Sequence, residues 1–481
     1  MFLSISGLPS GYEVEHVARL FYPSAQLCLG RVPRSQAATL VRARAGSSRL
    51  LAGVRQGGRL WVRTAPLPPA GEKPDFALAA LVYGLLRQIT GIRPPWGMMT
   101  GVRPVRIIHD SRARGCSEAE IERLFLQKYD CTPQKFALAR GIADVQRPVI
   151  ASSAPRDYSL YIGIPFCPSR CSYCSFVSLS VERDKALMQP YVDKLCLELR
   201  EIRRQADACG LRLRTIYIGG GTPTALSASQ LRQLMGQVRG LFELCGLQEY
   251  TVEAGRPDCT DAEKLAVLKE YGATRISINP QTFQNEVLAA IGRKHTAEDI
   301  LRCFEQARAA GHNDINMDLI AGLPRDTVEG FAQSLDAAIR LSPENITVHT
   351  LTLKRASNLV MGHAAEDYAD VAEMLRRCDA LTQAGYRPYY LYRQKNTLQN
   401  LENTGWCKPG HEGYYNIYIM EEVHSILSAG AGGSTKLRQP GGPDIQRIFN
   451  YKYPAEYISG FDTVMERKQG VSGFYARYLD S

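Results

Sequence analysis

The stretch YSLYIGIPFCPSRCSYCSF, residues 158–176, joins an apolar run to a turn-rich loop that carries three cysteines. The run has the length and composition of a strand, and the prolines and serines that follow end it. Cys167, Cys171 and Cys174 therefore lie just past the C-terminal end of a strand, in C-x3-C-x2-C spacing.

Downstream the same rhythm repeats. YSLYIGI, TIYIG, YTVEA, TRISIN, INMDLIAG and NITVHTL read as strands, and helical periods near 183–208, 227–240, 261–271, 284–310 and 327–340 separate them. Strands joined by crossover helices run parallel, and six such units are too few to close an eight-stranded barrel. Residues 158–384 are therefore expected to form an α/β fold, an open partial (β/α)6 barrel whose chemistry sits at the C-terminal strand ends.

The flanks differ in character. Residues 1–150 read as a basic α+β domain, with a small antiparallel sheet drawn from LCLGRV, ATLVRARA, RLLAGV and RLWVRTA, then helices near 75–89, 117–129 and 133–149. Residues 151–157 read as a linker. The tail, 385–481, holds the aromatic and Gly-rich segments YRPYYLYRQKN, ENTGWCKPG and SAGAGGS, and is expected to pack over the open side of the barrel and cover the substrate.

The 481 residues carry a net charge of +10, and its placement is uneven. Residues 1–150 hold 21 Lys or Arg against 10 Asp or Glu, while the remainder holds 37 against 38. Between Glu15 and Glu72 there is no acidic residue, yet Arg31, Arg34, Arg42, Arg44, Arg49, Arg55, Arg59 and Arg63 fall there. Such a field suits polyanions, whether RNA, DNA or a polycarboxylate, or is simply a solvated basic face. The longest apolar run, FALAALVYGLL at 76–86, is too short for a membrane span, and the N-terminus lacks the pattern of a signal segment. A cytoplasmic protein with reduced thiols is the expectation.

The cysteine loop poses a ligand problem. A structural zinc site would need a fourth Cys or His, but no His lies between His109 and His295, and Cys196 falls inside a helical period. An iron–sulfur cube takes one thiolate per iron, so three cysteines would leave one iron open to an exogenous ligand. A chance trio of core cysteines is the plain alternative, and the turn-rich setting speaks against it.

This loop, after the first strand of a partial barrel, resembles that of the radical S-adenosylmethionine (SAM) superfamily. The resemblance implies a 4Fe-4S cluster whose open iron chelates SAM, and a reductive cleavage that releases a 5'-deoxyadenosyl radical. It places Gly220, Gly221 and Thr222 of IYIGGGTPT against SAM. The further set YIxIPFC, GGGTPT, SxxxQ, an Arg after eleven intervening residues, and NxDLIxGLP is similar to that of the oxygen-independent coproporphyrinogen III oxidase family, over roughly residues 158–440. By that likeness Glu253, Gln281, Arg293 and Asp318 help to hold SAM, and Tyr161 and Tyr173 lie beside the cluster. No catalytic residue beyond the cluster and SAM sites is singled out.

GIRPP at 91, GVRPV at 101 and ENTGWCKPG resemble the HemZ-like branch, and that resemblance implies coproporphyrinogen dehydrogenase activity. The implied substrate is a tetrapyrrole, coproporphyrinogen III, with two propionates converted to vinyls by oxidative decarboxylation, and the implied partner is an electron donor such as flavodoxin or ferredoxin. Arg93, Arg103 and Arg393 are candidate clamps for propionates. Two departures stand out: the best-known oxidases have His where Gly163 stands, and a further Cys soon after the cluster, where this chain reads Ser175-Phe176-Val177. HemW-type haem chaperones share the barrel, but their His-Asn pair in the tail is not reproduced by HEGYYNIY, which contains His411. A tRNA-modifying enzyme is the third reading. It is less favoured, because Phe21, Tyr22 and Trp61 are the main stacking candidates in the basic region.

Overall fold

The computed structural model describes residues 1–8, 10–22, 26–27, 39–69, 71, 73–101, 103–176, 178–353, 370–395 and 397–479. Arg31, Arg34, Val177 and all of the LCLGRV run past Leu27 lie outside the described residues. The chain forms two compact units, residues 1–140 with 393–401, and residues 141–392 with 402–481.

In the first unit, strands β1 (Phe2–Ser6), β2 (Gln26–Leu27), β3 (Thr39–Ala45), β4 (Arg49–Gln56) and β5 (Arg59–Pro66) lie in the order β2-β1-β3-β4-β5. The β3-β4-β5 meander is antiparallel, as the alternation in the sequence predicts. However, β1 runs parallel to β2 and to β3, so the sheet is mixed. The cause is a helix absent from the sequence reading, Tyr12–Phe21, which carries the chain back across the sheet after β1. Its Val14, Val17 and Phe21 join Leu78, Val82 and Leu86 of the helix Pro74–Thr90 over Val41, Leu50 and Val54. The intervening Arg42 and Arg44 remain exposed.

The second unit contains β6 (Asp157–Ile164), β7 (Phe166–Cys167), β8 (Leu179–Ser180), β9 (Arg212–Gly220), β10 (Glu249–Glu253), β11 (Arg275–Ser277), β12 (Ile315–Ala321), β13 (Asn345–Thr350), β14 (Arg387–Arg393), β15 (Glu402–Cys407), β16 (Ser425–Ala429), β17 (Ser434–Arg438) and β18 (Ile445–Phe449). Its large sheet has the order β14-β15-β13-β12-β11-β10-β9-β6-β16-β17-β18. The six strands read from the sequence, β6 and β9 to β13, are parallel neighbours throughout. Among the described residues the sheet does not close on itself. Beyond β13 it continues into antiparallel β15, and beyond β6 into parallel β16. The tail thus extends both edges of the sheet, where unpaired backbone groups would otherwise face outward.

The crossover helices begin where their caps dictate. Ser227 and Thr296 close capping boxes with Gln230 and Asp299, while Asp261 and Thr327 accept from the backbone N–H of Lys264 and Gly330. Within the strands a period of two separates the faces. Ile216, Ile218, Val252, Ile276, Met317, Leu319, Ile346 and Val348 are fully or almost fully buried. Tyr217, Glu253, Ser277, Asn316, Asp318, Thr347 and His349 occupy the alternate positions, on the opposite face. Ser277 and Asn316 are register partners, as are Asp318 and Thr347, so the polar side chains form a continuous lining.

The β6–β16 pairing encloses His424. Its Nδ1 lies 2.9 Å from Ser159 Oγ, its Nε2 lies 3.0 Å from Ser153 Oγ, and its ring stacks on Tyr418 at 3.7 Å. Burial pushes its pKa down to about 3, Asp157 opposes this, and Arg214, Arg438 and Arg212 add to it. Unfolding restores a value near 6.5, so the unfolded chain binds the extra proton between about pH 6.5 and 3 and stability falls as pH drops through that window. Going from pH 7 to pH 5 is expected to cost about 2 kcal/mol through this residue alone. Urea midpoints measured at both pH values check it: His424→Gln should flatten the difference, and an unaltered slope would sink the assignment.

Candidate active site

The cysteine loop leaves β6 through β7 and returns through β8, and these two short strands pair in parallel. It is tied down at several points. Thr222 N–H donates to Phe166 O at 2.8 Å, Gly221 N–H to Ile164 O at 2.8 Å, and Ser172 N–H to Ile291 O at 3.0 Å. Thr222 Oγ1 also donates to Cys167 Sγ at 3.5 Å.

Gly220 and Gly221 are required by this crossing of two chain segments. Gly220 has φ of +111°, and a Cβ on Gly221 would meet the carbonyl oxygens of Phe166 and Ile164 at 2.7 and 2.9 Å. The triple glycine therefore allows the loop after β9 to lie against the cysteine loop.

Cys171 is buried, whereas Cys167 and Cys174 are half-buried. Burial pushes the thiols of Cys167 and Cys174 up; Cys171 adds to this at Cys167, and Cys171 and Cys167 add to it at Cys174. Bound iron supplies the positive charge that makes buried thiolates tenable. Among the described residues no three His, Cys, Asp or Glu side chains close around a point that a single ion would fill. A cube, with its sulfurs attached to different irons, suits a looser trio than a mononuclear ion does.

The other residues singled out in the sequence converge on the same rim. Arg293, after β11, donates from Nη1 to Asn279 O at 2.6 Å and from Nη2 to Tyr173 Oη at 3.3 Å, which links it to the cysteine loop. Gln281 sits in the left-handed region, φ 69°, and its backbone bridges to β12 through Asp318 O and Ile320 N. Arg293 Nε, Gln281 Oε1 and Asn279 Oδ1 are buried without a hydrogen-bond partner. Such orphaned polar atoms are costly unless a ligand meets them, so this rim fits a polar cofactor beside the cysteines.

Glu253 ends β10 and accepts from Tyr217 Oη at 2.6 Å. Burial raises its pKa to about 7, against the opposing hydrogen bond from Tyr217. Tyr217 stacks between Tyr161 and Tyr415, with ring centroids 6.2 and 4.5 Å away. Asp318 accepts from Asn316 Nδ2 at 2.8 Å and lies 3.6 Å from His349 Nε2. Burial opposes its ionisation, yet His349 and Asn316 hold its carboxyl below the usual range.

Sequence reasoning missed Tyr217, Tyr415, Asn316 and His349, although polar residues alternating with aliphatic ones in IYIGG, INMDLIA and NITVHT mark the lining face of their strands. It also missed Arg256, in TVEAGRPD, whose Nη1 lies 3.3 Å from Cys171 Sγ. Two of the arginines read as propionate clamps are committed within the protein. Arg393 donates to the backbone oxygens of Met99, Gly101 and Asn400 and lies over Trp96. Arg93 shares Asp130 with Arg87 and Tyr83. The GIRPP loop thus serves the first unit's own structure, and Arg103 lies at the start of the helix Pro104–Ala113.

A three-cysteine loop beneath a glycine turn, on the C-terminal rim of an open parallel sheet, defines the class, and comparison with known proteins agrees. The Radical SAM superfamily model matches residues 161–338. The chain is 36% identical over 470 residues, 95% of its length and 94% of the other, to the oxygen-independent coproporphyrinogen-III oxidase-like protein HemZ of Bacillus subtilis (strain 168). It is 40% identical over 284 residues to the heme chaperone HemW of the same organism, covering 57% of this chain and 70% of that one. The solved structure of Escherichia coli coproporphyrinogen III oxidase, HemN, superposes with a TM-score of 0.54 over 67% of this chain and 73% of that one, at 24% identity. The chain belongs to the radical SAM superfamily, among the oxygen-independent coproporphyrinogen-III oxidase-like proteins. Its cofactors are accordingly a 4Fe-4S cluster and SAM. Among the described residues, no helix is long and apolar enough to cross a membrane.

Proposed function

We propose that this chain is an oxidoreductase that converts coproporphyrinogen III to protoporphyrinogen IX. Each of two propionates gives up a hydrogen atom, carbon dioxide and one electron, the electron passing to an external acceptor, and a vinyl group remains. The observation that carries the reading is the convergence of the cysteine loop with the orphaned polar atoms of Arg293, Gln281 and Asn279 on one rim. It is supported by near-full-length similarity to a protein named as coproporphyrinogen-III oxidase-like.

The cluster and SAM supply the hydrogen-abstracting radical, and the protein's own residues supply the setting. Cys167, Cys171 and Cys174 are the proposed ligands to the cluster. Arg293 offers a guanidinium to the SAM carboxylate and holds Tyr173 against the cysteine loop. Gly220, Gly221 and Thr222 present backbone to the amino group, while Glu253, Gln281 and Asp318 offer acceptors and a donor to the rest of SAM. Tyr161, Tyr217 and Tyr415 form a flat aromatic column beside Glu253, suited to a ring system. A small redox protein such as flavodoxin or ferredoxin is the proposed electron donor.

The test is an anaerobic reaction of cluster-reconstituted protein with SAM, a strong reductant and coproporphyrinogen III, following 5'-deoxyadenosine and tetrapyrrole masses together. Stepwise loss of two carboxyl groups, coupled to 5'-deoxyadenosine, is the expected result. An unchanged porphyrinogen mass with SAM still cleaved would remove the substrate assignment. Arg293→Lys keeps the charge but loses the fork, and removing a hydrogen bond to a charged group costs about 1.5–3 kcal/mol. SAM affinity should fall about 10–100-fold, which titration calorimetry would read; an unchanged affinity would take Arg293 out of the SAM site.

A second reading is haem handling without turnover, and Gly163 favours it. A Cβ there would find ordinary contacts, 3.5 Å from the nearest backbone oxygens, so packing does not demand a glycine. The missing imidazole is a difference in the chemistry of the site, and the HemW likeness points the same way. Tight, stoichiometric haem binding by a chain that leaves coproporphyrinogen III intact would select this reading.

A further inference from the structure

Arg256 follows β10 and is 4% exposed, with every arm of its guanidinium occupied. Nε and Nη2 clasp Asp258 at 2.8 and 2.7 Å, and Nη2 also reaches Ser169 Oγ at 2.9 Å. Nη1 points at Cys171 Sγ, 3.3 Å away, and at Ser169 O, 3.4 Å away. Asp258 is in turn 3.7 Å from His295 Nδ1. The pair is therefore an oriented dipole in a buried setting, its positive end bonded to a cysteine and its negative end held back.

We infer that Arg256 is a positioning residue that fixes the middle of the cysteine loop and sets the reduction potential of the cluster. The inference rests on the reading of Cys171 as a cluster ligand. An N–H donor and a positive charge beside a ligating sulfur stabilise the more negative, reduced state of an iron–sulfur cluster, and burial strengthens the effect because water does not screen it. One electron is taken up from an external reductant, and no bond at Arg256 is made or broken. Ser169 gives the arginine a second hold on the loop, so the hydrogen bond to Cys171 keeps its geometry when the cluster changes charge. Arg293, bonded to Tyr173 in the same loop, is set apart by its unpartnered Nε. The two arginines thus divide the work, Arg256 toward the sulfur and Arg293 toward SAM.

The charges make opposite predictions for the two members of the pair. Arg256→Met leaves Asp258 without its counter-charge and should shift the cluster's midpoint potential to more negative values. Asp258→Asn leaves the guanidinium uncompensated and should shift it to more positive values. Arg256→Lys keeps the charge, loses the fork and should fall between the wild type and Arg256→Met. The measurement is a redox titration of the reconstituted full-length chain, followed by electron paramagnetic resonance, with iron content determined on the same samples.

Opposite shifts at wild-type iron content are the expected result. Equal potentials in all variants, or shifts of one sign, would overturn the inference and leave Arg256 a merely structural residue. If Arg256→Met fails to retain iron, the sign of the Asp258→Asn shift decides. Absence of a cluster signal from the wild-type chain would instead overturn the reading of the cysteine loop itself.

Discussion

Cys171→Ala is expected to abolish cluster retention and, with it, the cleavage of SAM. The trio runs from the end of β7 into the loop before β8, and Cys171 is its most buried member, at 7% exposure. Removing its thiolate leaves two ligands, and the alanine also strands one arm of Arg256, which loses its sulfur acceptor in a buried place. No neighbouring cysteine can stand in: Cys196 is in the helix Met188–Ala208, and Cys259 is engaged with Thr224 Oγ1 and Arg256 O. Iron content, visible absorption and 5'-deoxyadenosine formation after anaerobic reconstitution are the readouts. Cys245→Ala, at an exposed position, should leave all three unchanged. A Cys171→Ala protein that keeps its iron and still cleaves SAM would remove this loop from the chemistry.

The largest effect on stability should come from Lys468→Met, expected to destabilise the second unit by about 3–5 kcal/mol. Lys468 and Glu198 are 1% and 0% exposed and lie 2.8 Å apart. Glu198 also receives Asn450 Nδ2 at 2.7 Å, Tyr457 Oη at 2.6 Å and Gly430 N–H at 2.8 Å. Removing the lysine strands a carboxylate with neutral donors only. The double variant Glu198→Gln with Lys468→Met should recover part of the loss, because no charge remains buried and the amide oxygen still accepts from Tyr457 and Gly430, although its NH2 then faces Asn450 Nδ2. Thermal unfolding would show this, and a single variant within about 1 kcal/mol of wild type would contradict it. The network bears on the rim as well. It pins the turn at Gly430, where a Cβ would lie 2.5 Å from Gly163 O.

The parallel sheet was legible because its strands are short apolar runs bounded by capped helices, and a period of two against a period of 3.6 is a local signal. The pairing of β16 with β6 was not, because the partners are remote in sequence and SILSA carries no mark of its neighbour. The cysteine loop could be read from spacing alone. Tyr415 could not, since it reaches Tyr217 from a helix in the tail, and only the folded chain brings them together. Arg393 illustrates the reverse error. Its charge suggested a ligand, while its burial at 7% and three backbone acceptors show a fastening. The parallel course of β1 was missed because the helix Tyr12–Phe21 spans only ten residues, hardly three turns of pattern.

The pairing of β6 with β16 also sets a clock. Ser159 meets His424 across 265 residues of chain, and at about 5–20 residues per second of synthesis the wait is about 15–50 s. Throughout that interval β6 lacks its second neighbour, and the three thiols that follow it protrude from an unfinished molecule. A cell producing this protein under fluctuating oxygen thus leaves these three thiols beside an incomplete sheet for a time set by chain length.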